Sequence, residues 1–334
     1  MLLVLTCVSN ALFGQQKPDA MTLALEGIRL VDEGNFKDGI KLLQEARNLE
    51  PTEYDFPLEM AKAYLKSGDA KKAERYLYDL QYHNYVRPDL FILLSDCYAK
   101  IDEGKKNQDE ARKKEVDALL YGIAKFPTSG ELYLKLGHIY QQLEKPVDAL
   151  AVWEKGIQQA PSFAENYYWA ARMLQLTGNH LWAWIYGEVF WNMTEDPDLG
   201  HAISHVIISS SEKVLSGNWV ADPDKADQDF QFLMKEKCRS PQGEGTGIDL
   251  QNKVRSCIFD NEASVPKACI PLFNRLAEIR LHGWQLIYIA HLYQQNDREQ
   301  FVRIATQDAE VTDAFRQWFY WNRMKPLQPI TRLN

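Results

Sequence analysis

His201 and His205 stand four residues apart in the segment HAISH. That spacing puts two imidazoles on one helical face, as zinc sites use it. A zinc hydrolase built this way carries a glutamate after the first histidine, and Ala202 stands there instead. No third ligand is evident, so the pair reads as packing or surface histidines. Cys238, Cys257 and Cys269, joined by His282 or His291, offer a second candidate set of four ligands. Structural zinc sites pair their ligands two to four residues apart, and these are not so paired. A disulfide among the three cysteines is the better use, because a loop-rich segment gains from a staple. Cys257–Cys269 and Cys238–Cys257 both remain open. Gly243, Gly245 and Gly247 lack the Gly-Lys-Ser/Thr ending of a phosphate loop and follow no strand, so they read as a connection. No Ser/His/Asp arrangement has supporting context. The expectation is no catalytic residue, no metal and no cofactor.

The elements that would position any site are helices. Residues 130–163 show this most clearly. Tyr133, Leu136, Gly137 and Tyr140 fall at i, i+3, i+4 and i+7, one stripe of a helix. A break follows at Glu144-Lys145-Pro146, where proline suits a first helical turn because its missing N–H has no helical partner there. Ala149, Trp153 and Gly156 form a second stripe, and Pro161 stops it. The small residues Gly137 and Ala149 let two helix axes approach, with Tyr140 and Trp153 filling the space beside them. One such hairpin cannot bury both faces, so it needs neighbours.

Tyr133, Leu136, Gly137, Tyr140, Ala149, Trp153, Gly156 and Pro161 resemble the signature of the tetratricopeptide repeat (TPR) family. The pattern recurs at residues 20–53 (Leu23, Gly27, Leu30, Gly34, Leu43, Ala46, Pro51), with Gly39 in place of the usual alanine. It recurs again at 54–87 (Ala61, Tyr64, Gly68, Ala73, Leu77), 88–129 (Ser95, Tyr98, Leu119, Gly122, Pro127) and 164–197 (Tyr167, Ala171, Leu174, Gly178, Ala183, Phe190). Residues 88–129 carry a polar insertion around EGKKNQDEARKK. Cys97 lies in the first helix of that unit and reads as a buried small apolar residue. Five repeats over 20–197 are expected. Residues 198–325 read as an all-helical cap with one degenerate hairpin at 283–310 and a last aromatic helix, AFRQWFYW. The fold expected is all-α, a TPR-type solenoid with an irregular helical C-terminal region.

The resemblance also implies where a partner would lie. The family binds proteins on a face lined by the second, fifth, ninth and twelfth residues of each first helix. In this chain those positions include Leu58, Lys62 and Leu65; Ile92 and Asp96; Leu134, His138 and Gln141; and Tyr168, Arg172 and Gln175. A surface of Tyr, His, Gln and Arg suits an extended peptide held by hydrogen bonds and stacking. The lysine-rich clamp for a terminal carboxylate is not visible.

Residues 1–14, MLLVLTCVSNALFG, are apolar and uncharged, too short for a bilayer span of about 20 residues. They read as the apolar core of an export signal, with cleavage points near Ser9, Ala11 or Gly14, although no Lys or Arg precedes the run. The net charge of −8, without a basic run, argues against nucleic acid or an anionic membrane surface as partner. The expected role is a non-catalytic scaffold or adaptor, periplasmic or secreted, beside an envelope or secretion complex. The alternatives are an enzyme with its active site in the C-terminal helices, where His201, His205 and carboxylates would converge, and a self-assembling subunit docking through the aromatic helix.

Overall fold

The computed structural model describes residues 18–101, 109–217, 228–238 and 247–332. The expected export signal at 1–14 lies outside them, as do residues 103–108 of the polar insertion, and Gly243 and Gly245. Every regular element among the described residues is helical. In chain order the helices are α1 (Ala20–Asp32), α2 (Phe36–Leu49), α3 (Asp55–Lys66), α4 (Ala70–Leu80), α5 (Asp89–Ile101), α6 (Asp109–Lys125), α7 (Gly130–Gln142), α8 (Pro146–Gln159), α9 (Ala164–Leu176) and α10 (His180–Met193). There follow α11 (Pro197–Leu215), α12 (Gln228–Phe232), α13 (Ile248–Phe259), α14 (Ile270–Leu281), α15 (Gln285–Leu292), α16 (Arg298–Gln307) and α17 (Ala309–Trp321). The chain forms two compact units, divided between Ala118 and Leu119 inside α6.

In the first unit each helix packs on the next, from α1 to α5, and on the next but one: α1 on α3, and α3 on α5. That is the contact pattern of a solenoid. Ala20, Ala24, Leu43, Ala46, Phe56, Met60 and Ala63 form its buried seam. Gly27 and Gly39 explain each other. A Cβ on Gly39 would stand 2.6 Å from the Gly27 carbonyl oxygen, and one on Gly27 would stand 2.9 Å from that of Gly39. The two backbones of this hairpin meet so closely that even the alanine usual at this place would force them apart.

The second unit repeats the pattern, α7 to α10 in sequence with α7 also on α9. Here Gly137 makes room for an indole: a Cβ there would fall 2.1 Å from Trp153 Nε1. The regularity does not stop at the fifth hairpin. α11 packs on α10 and on α9, as the first helix of a sixth hairpin would. Its outer side is met by α15 and by the π-helical turn Leu233–Lys237 rather than by a second helix of its own hairpin. α15 then packs on α13, α14, α16 and α17. The structure closes the disulfide Cys238–Cys257, with Cα atoms 5.7 Å apart, so that of the two pairings open to the sequence Cys257–Cys269 is the one not made. Cys269 stays outside this bond, buried in the core.

One turn chemistry closes four of the hairpins. After the first helix, Gly34, Glu144, Gly68 and Gly178 take positive φ (85°, 56°, 89° and 85°). The next residue's N–H donates back to a carbonyl five residues earlier: Asn35 to Leu30 (2.8 Å), Lys145 to Tyr140, Asp69 to Tyr64 and Asn179 to Leu174 (each 2.9 Å). This is the Schellman ending, which asks for glycine at the left-handed position. Only Glu144 among the four supplies a Cβ there, and its side chain is exposed. Glu144→Gly is therefore expected to stabilise the protein by about 1 kcal/mol, the order of the left-handed penalty. Urea titration checks this, and a lower midpoint would show that Glu144 is held by something other than turn geometry.

The core of the second unit contains a polar knot. Glu188 of α10 and Arg255 of α13 form an ion pair with side chains 3% and 4% exposed. Glu188 also accepts from Trp184 Nε1 (3.1 Å) and from the Tyr288 hydroxyl. Asn192 donates to Tyr288 Oη (2.9 Å), and Arg275 Nε donates to Asn192 Oδ1 (3.4 Å) while its guanidinium lies 3.9 Å over the Trp318 ring. Burial and the adjoining Glu188 carboxylate hold the Tyr288 phenol well above its ordinary pKa. The knot joins α10, the last regular repeat helix, to α13, α14 and α15.

Candidate interaction surface

Two first helices of the second unit carry the surface. On α7, Leu134, His138 and Gln141 recur at helical spacing, and on α9, Tyr168, Arg172 and Gln175 do the same. The α7–α9 packing brings the two rows side by side. At the centre lies His138, whose ring meets Trp169 edge-on at 4.5 Å and Trp153 at 5.7 Å. Trp153 and Trp169 stack at 5.9 Å, and Trp153 Nε1 donates to the Leu134 carbonyl (3.3 Å). Burial pushes the His138 pKa down, and the nearby Lys135 adds to this. The imidazole is thus a neutral donor–acceptor at pH 7, not a cation.

Arg172 supplies the charge. Its guanidinium lies 5.0 Å over Trp169 and 5.5 Å over Tyr168, and its Nη1 donates to the Tyr168 hydroxyl (3.3 Å). Arg172 itself is exposed, so an aromatic shelf presents a cation to solvent. Tyr168 is mostly core: it is 5% exposed and its ring packs on Phe190 at 5.0 Å. Gln175 is half-buried and donates to Ser209 of α11, which ties it to the helix beyond. Gln141 is exposed. Trp169 is the residue that sequence reasoning missed, because it lies off the family positions. Its only signal was the aromatic run Tyr167-Tyr168-Trp169.

In the first unit, Lys62 is half-exposed and pairs with Glu59 at 2.6 Å, Asp96 and Ile92 are half-buried, and Leu58 and Leu65 belong to the core. No aromatic shelf like that of His138 forms around them among the contacts described.

A second concavity, of about 530 Å³, lies between the start of α11 and α15 and α17. Its lining includes Trp191, Asp196, His201, His291, Arg316 and Arg323. His205 is exposed and not part of it. Both His291 nitrogens are engaged: Nδ1 with the Ile287 carbonyl (2.8 Å), and Nε2 accepting from Arg316 Nε (3.2 Å). Burial lowers the His291 pKa to about 4. A ring held neutral with both nitrogens spoken for has no lone pair to offer a substrate proton. Among the described residues no three His, Cys, Asp or Glu side chains converge as a metal ion would require. α17 turns Phe315 and Phe319 into the core and leaves Tyr320 and Trp321 exposed.

Residues 30–97 match the tetratricopeptide repeat family. That stretch carries tetratricopeptide repeats. No curated protein matches it. Among solved structures it is similar to a thermophilic TPR protein in Thermus thermophilus, at 16% identity over 56% of this chain and 98% of that one, with a TM-score of 0.44. It is similar to MamA at 19% identity over 56% and 95% of the two chains (TM-score 0.37). It is also similar to YrrB, described as a TPR protein with an unusual peptide-binding site, at 17% identity over 55% and 91% (TM-score 0.35). No helix among the described residues is long and apolar enough to cross a membrane.

Proposed function

We propose that the protein is a non-catalytic adaptor that grips an extended peptide of a partner protein across α7 and α9. The observation that carries this is the exposed Arg172 guanidinium resting on Tyr168 and Trp169 beside a neutral His138. Such a shelf offers a charge-assisted donor, an imidazole and the Gln141 amide to peptide carbonyls or an acidic side chain, with ring faces to stack on. The setting we propose is an oxidising one, periplasmic or secreted, beside an envelope complex. Two features support it: the apolar run 1–14 and the Cys238–Cys257 disulfide, since such bonds persist mainly in oxidising compartments.

The test is a pull-down from envelope extract with Arg172→Ala and Gln141→Ala, both exposed and free of a core role. A hydrogen bond to a charged group contributes about 1.5–3 kcal/mol. Arg172→Ala should therefore weaken partner recovery at least tenfold while helical content and melting stay unchanged. Recovery of the same partners at the same yield removes this surface from the function.

A further inference from the structure

After α17 the chain runs without regular structure back over the repeats. Met324 N–H donates to the Asn192 carbonyl (2.8 Å). Leu327 is 92% exposed, yet three residues later Ile330 is fully buried. From Ile330 to Arg332 the strap is read by three side chains. Tyr167 of α9 accepts from Ile330 N–H (3.3 Å), and Tyr186 of α10 accepts from Arg332 N–H (3.1 Å). Glu154 of α8 takes the Arg332 fork with both oxygens, Nε to Oε1 at 2.6 Å and Nη2 to Oε2 at 3.2 Å. The Tyr186 hydroxyl gives its one proton to Glu154 (3.1 Å), so the Thr331 hydroxyl, 3.2 Å away, donates to Tyr186.

These contacts have the form of peptide recognition rather than of core packing. Two tyrosine hydroxyls hold backbone N–H groups, which reads an extended chain whatever its sequence. A carboxylate 1% exposed holds a guanidinium bidentately, which reads one side chain. A buried apolar residue two places before that arginine fills the floor. Tyr167 and Tyr186 meet edge-on at 5.8 Å, so both hydroxyls are held in place by their own packing. Burial and the neighbouring Glu154 keep the Tyr186 phenol protonated well above its ordinary pKa, so it remains a donor. None of Glu154, Tyr167 and Tyr186 belongs to the His138–Arg172 surface.

We propose that the crevice formed by Glu154, Tyr167 and Tyr186 is a second peptide-recognition site. It takes an extended segment of the pattern apolar–hydroxyl–arginine, and in the isolated chain its own residues Ile330-Thr331-Arg332 occupy it. Tethering gives the strap an effective concentration of the order of millimolar, so a free peptide competes poorly until the strap is loosened.

The experiment measures fluorescence anisotropy of a labelled peptide of residues 324–334 against the full chain. Arg332→Ala loosens the chain's own strap and leaves the crevice intact. It should bind the peptide at least tenfold more tightly than the unaltered chain does. Adding Glu154→Gln to that variant should abolish the gain. Equal affinity of Arg332→Ala and the unaltered chain overturns the proposal, as does a gain that survives Glu154→Gln. So does dimer formation by Arg332→Ala without peptide binding, which would mean exchange of straps between copies. Should Arg332→Ala lose its helical content, hydrogen exchange of the unaltered chain decides. Excess peptide should speed exchange at the Ile330 and Arg332 amides while those of α8 to α10 stay protected, and unchanged exchange overturns the proposal.

Discussion

Arg255→Met is expected to lower the unfolding free energy by about 3–5 kcal/mol, the loss typical when one partner of a buried ion pair is removed. Methionine matches the arginine stem in length, so little cavity forms. What remains is Glu188, 3% exposed, with its charge answered only by Trp184 Nε1 and the Tyr288 hydroxyl. Neutralising the survivor should relieve most of this. In Arg255→Met with Glu188→Gln the amide oxygen still accepts from Trp184 or Tyr288, and no buried charge is stranded. Urea unfolding of the two variants gives the comparison. A loss below about 1 kcal/mol for Arg255→Met would mean that water reaches the pair and that the knot is not sealed. Because domains are stable by only about 5–15 kcal/mol in total, the single variant should also unfold visibly earlier on heating.

The second large effect concerns Cys238 and Cys257, which are 19 residues apart in sequence. Cross-linking a loop of that length removes denatured-state entropy equivalent to about 3 kcal/mol at 25 °C. Replacing both cysteines with alanine should cost that much in oxidised protein and nothing further when reductant is added. The unaltered chain should converge on the double variant under the same reductant. A reductant-insensitive midpoint in the unaltered chain would show that the bond does not form in solution, and with it would go one of the two supports for an oxidising setting.

Periodicity made the hairpins legible because every helix of the repeats must bury one stripe. Gly34, Gly68 and Gly178 marked turns for the reason the structure shows, a left-handed residue after the first helix. Gly39 looked like a departure from the alanine expected there. In place it is the residue that lets the backbones of α1 and α2 come together. Other features were hidden because they depend on partners far away in sequence. Nothing local in residues 198–215 announces a sixth first helix, since among the described residues no helix of repeat length directly follows it. The cysteine pairing turns on distances that only the folded chain sets. Glu154 and Arg332 are 178 residues apart, and no spacing rule reaches that far. On the proposed interaction surface, His138 and Arg172 stand at the family positions. Trp169, which joins them, does not, because it faces between the stripes.

The placement of α11 has a consequence for how such an array can change over time. Tandem genes of this kind lengthen when a copied unit slots in beside its parent. At the far end of this molecule the last slot is half filled, and its outward side is already covered by α15 and the π-helical turn. An extra unit inserted after α11 would strip that cover away, whereas one inserted upstream of α9 would find a matching neighbour on either side. Growth by duplication is thereby closed off at the C-terminal end of the array.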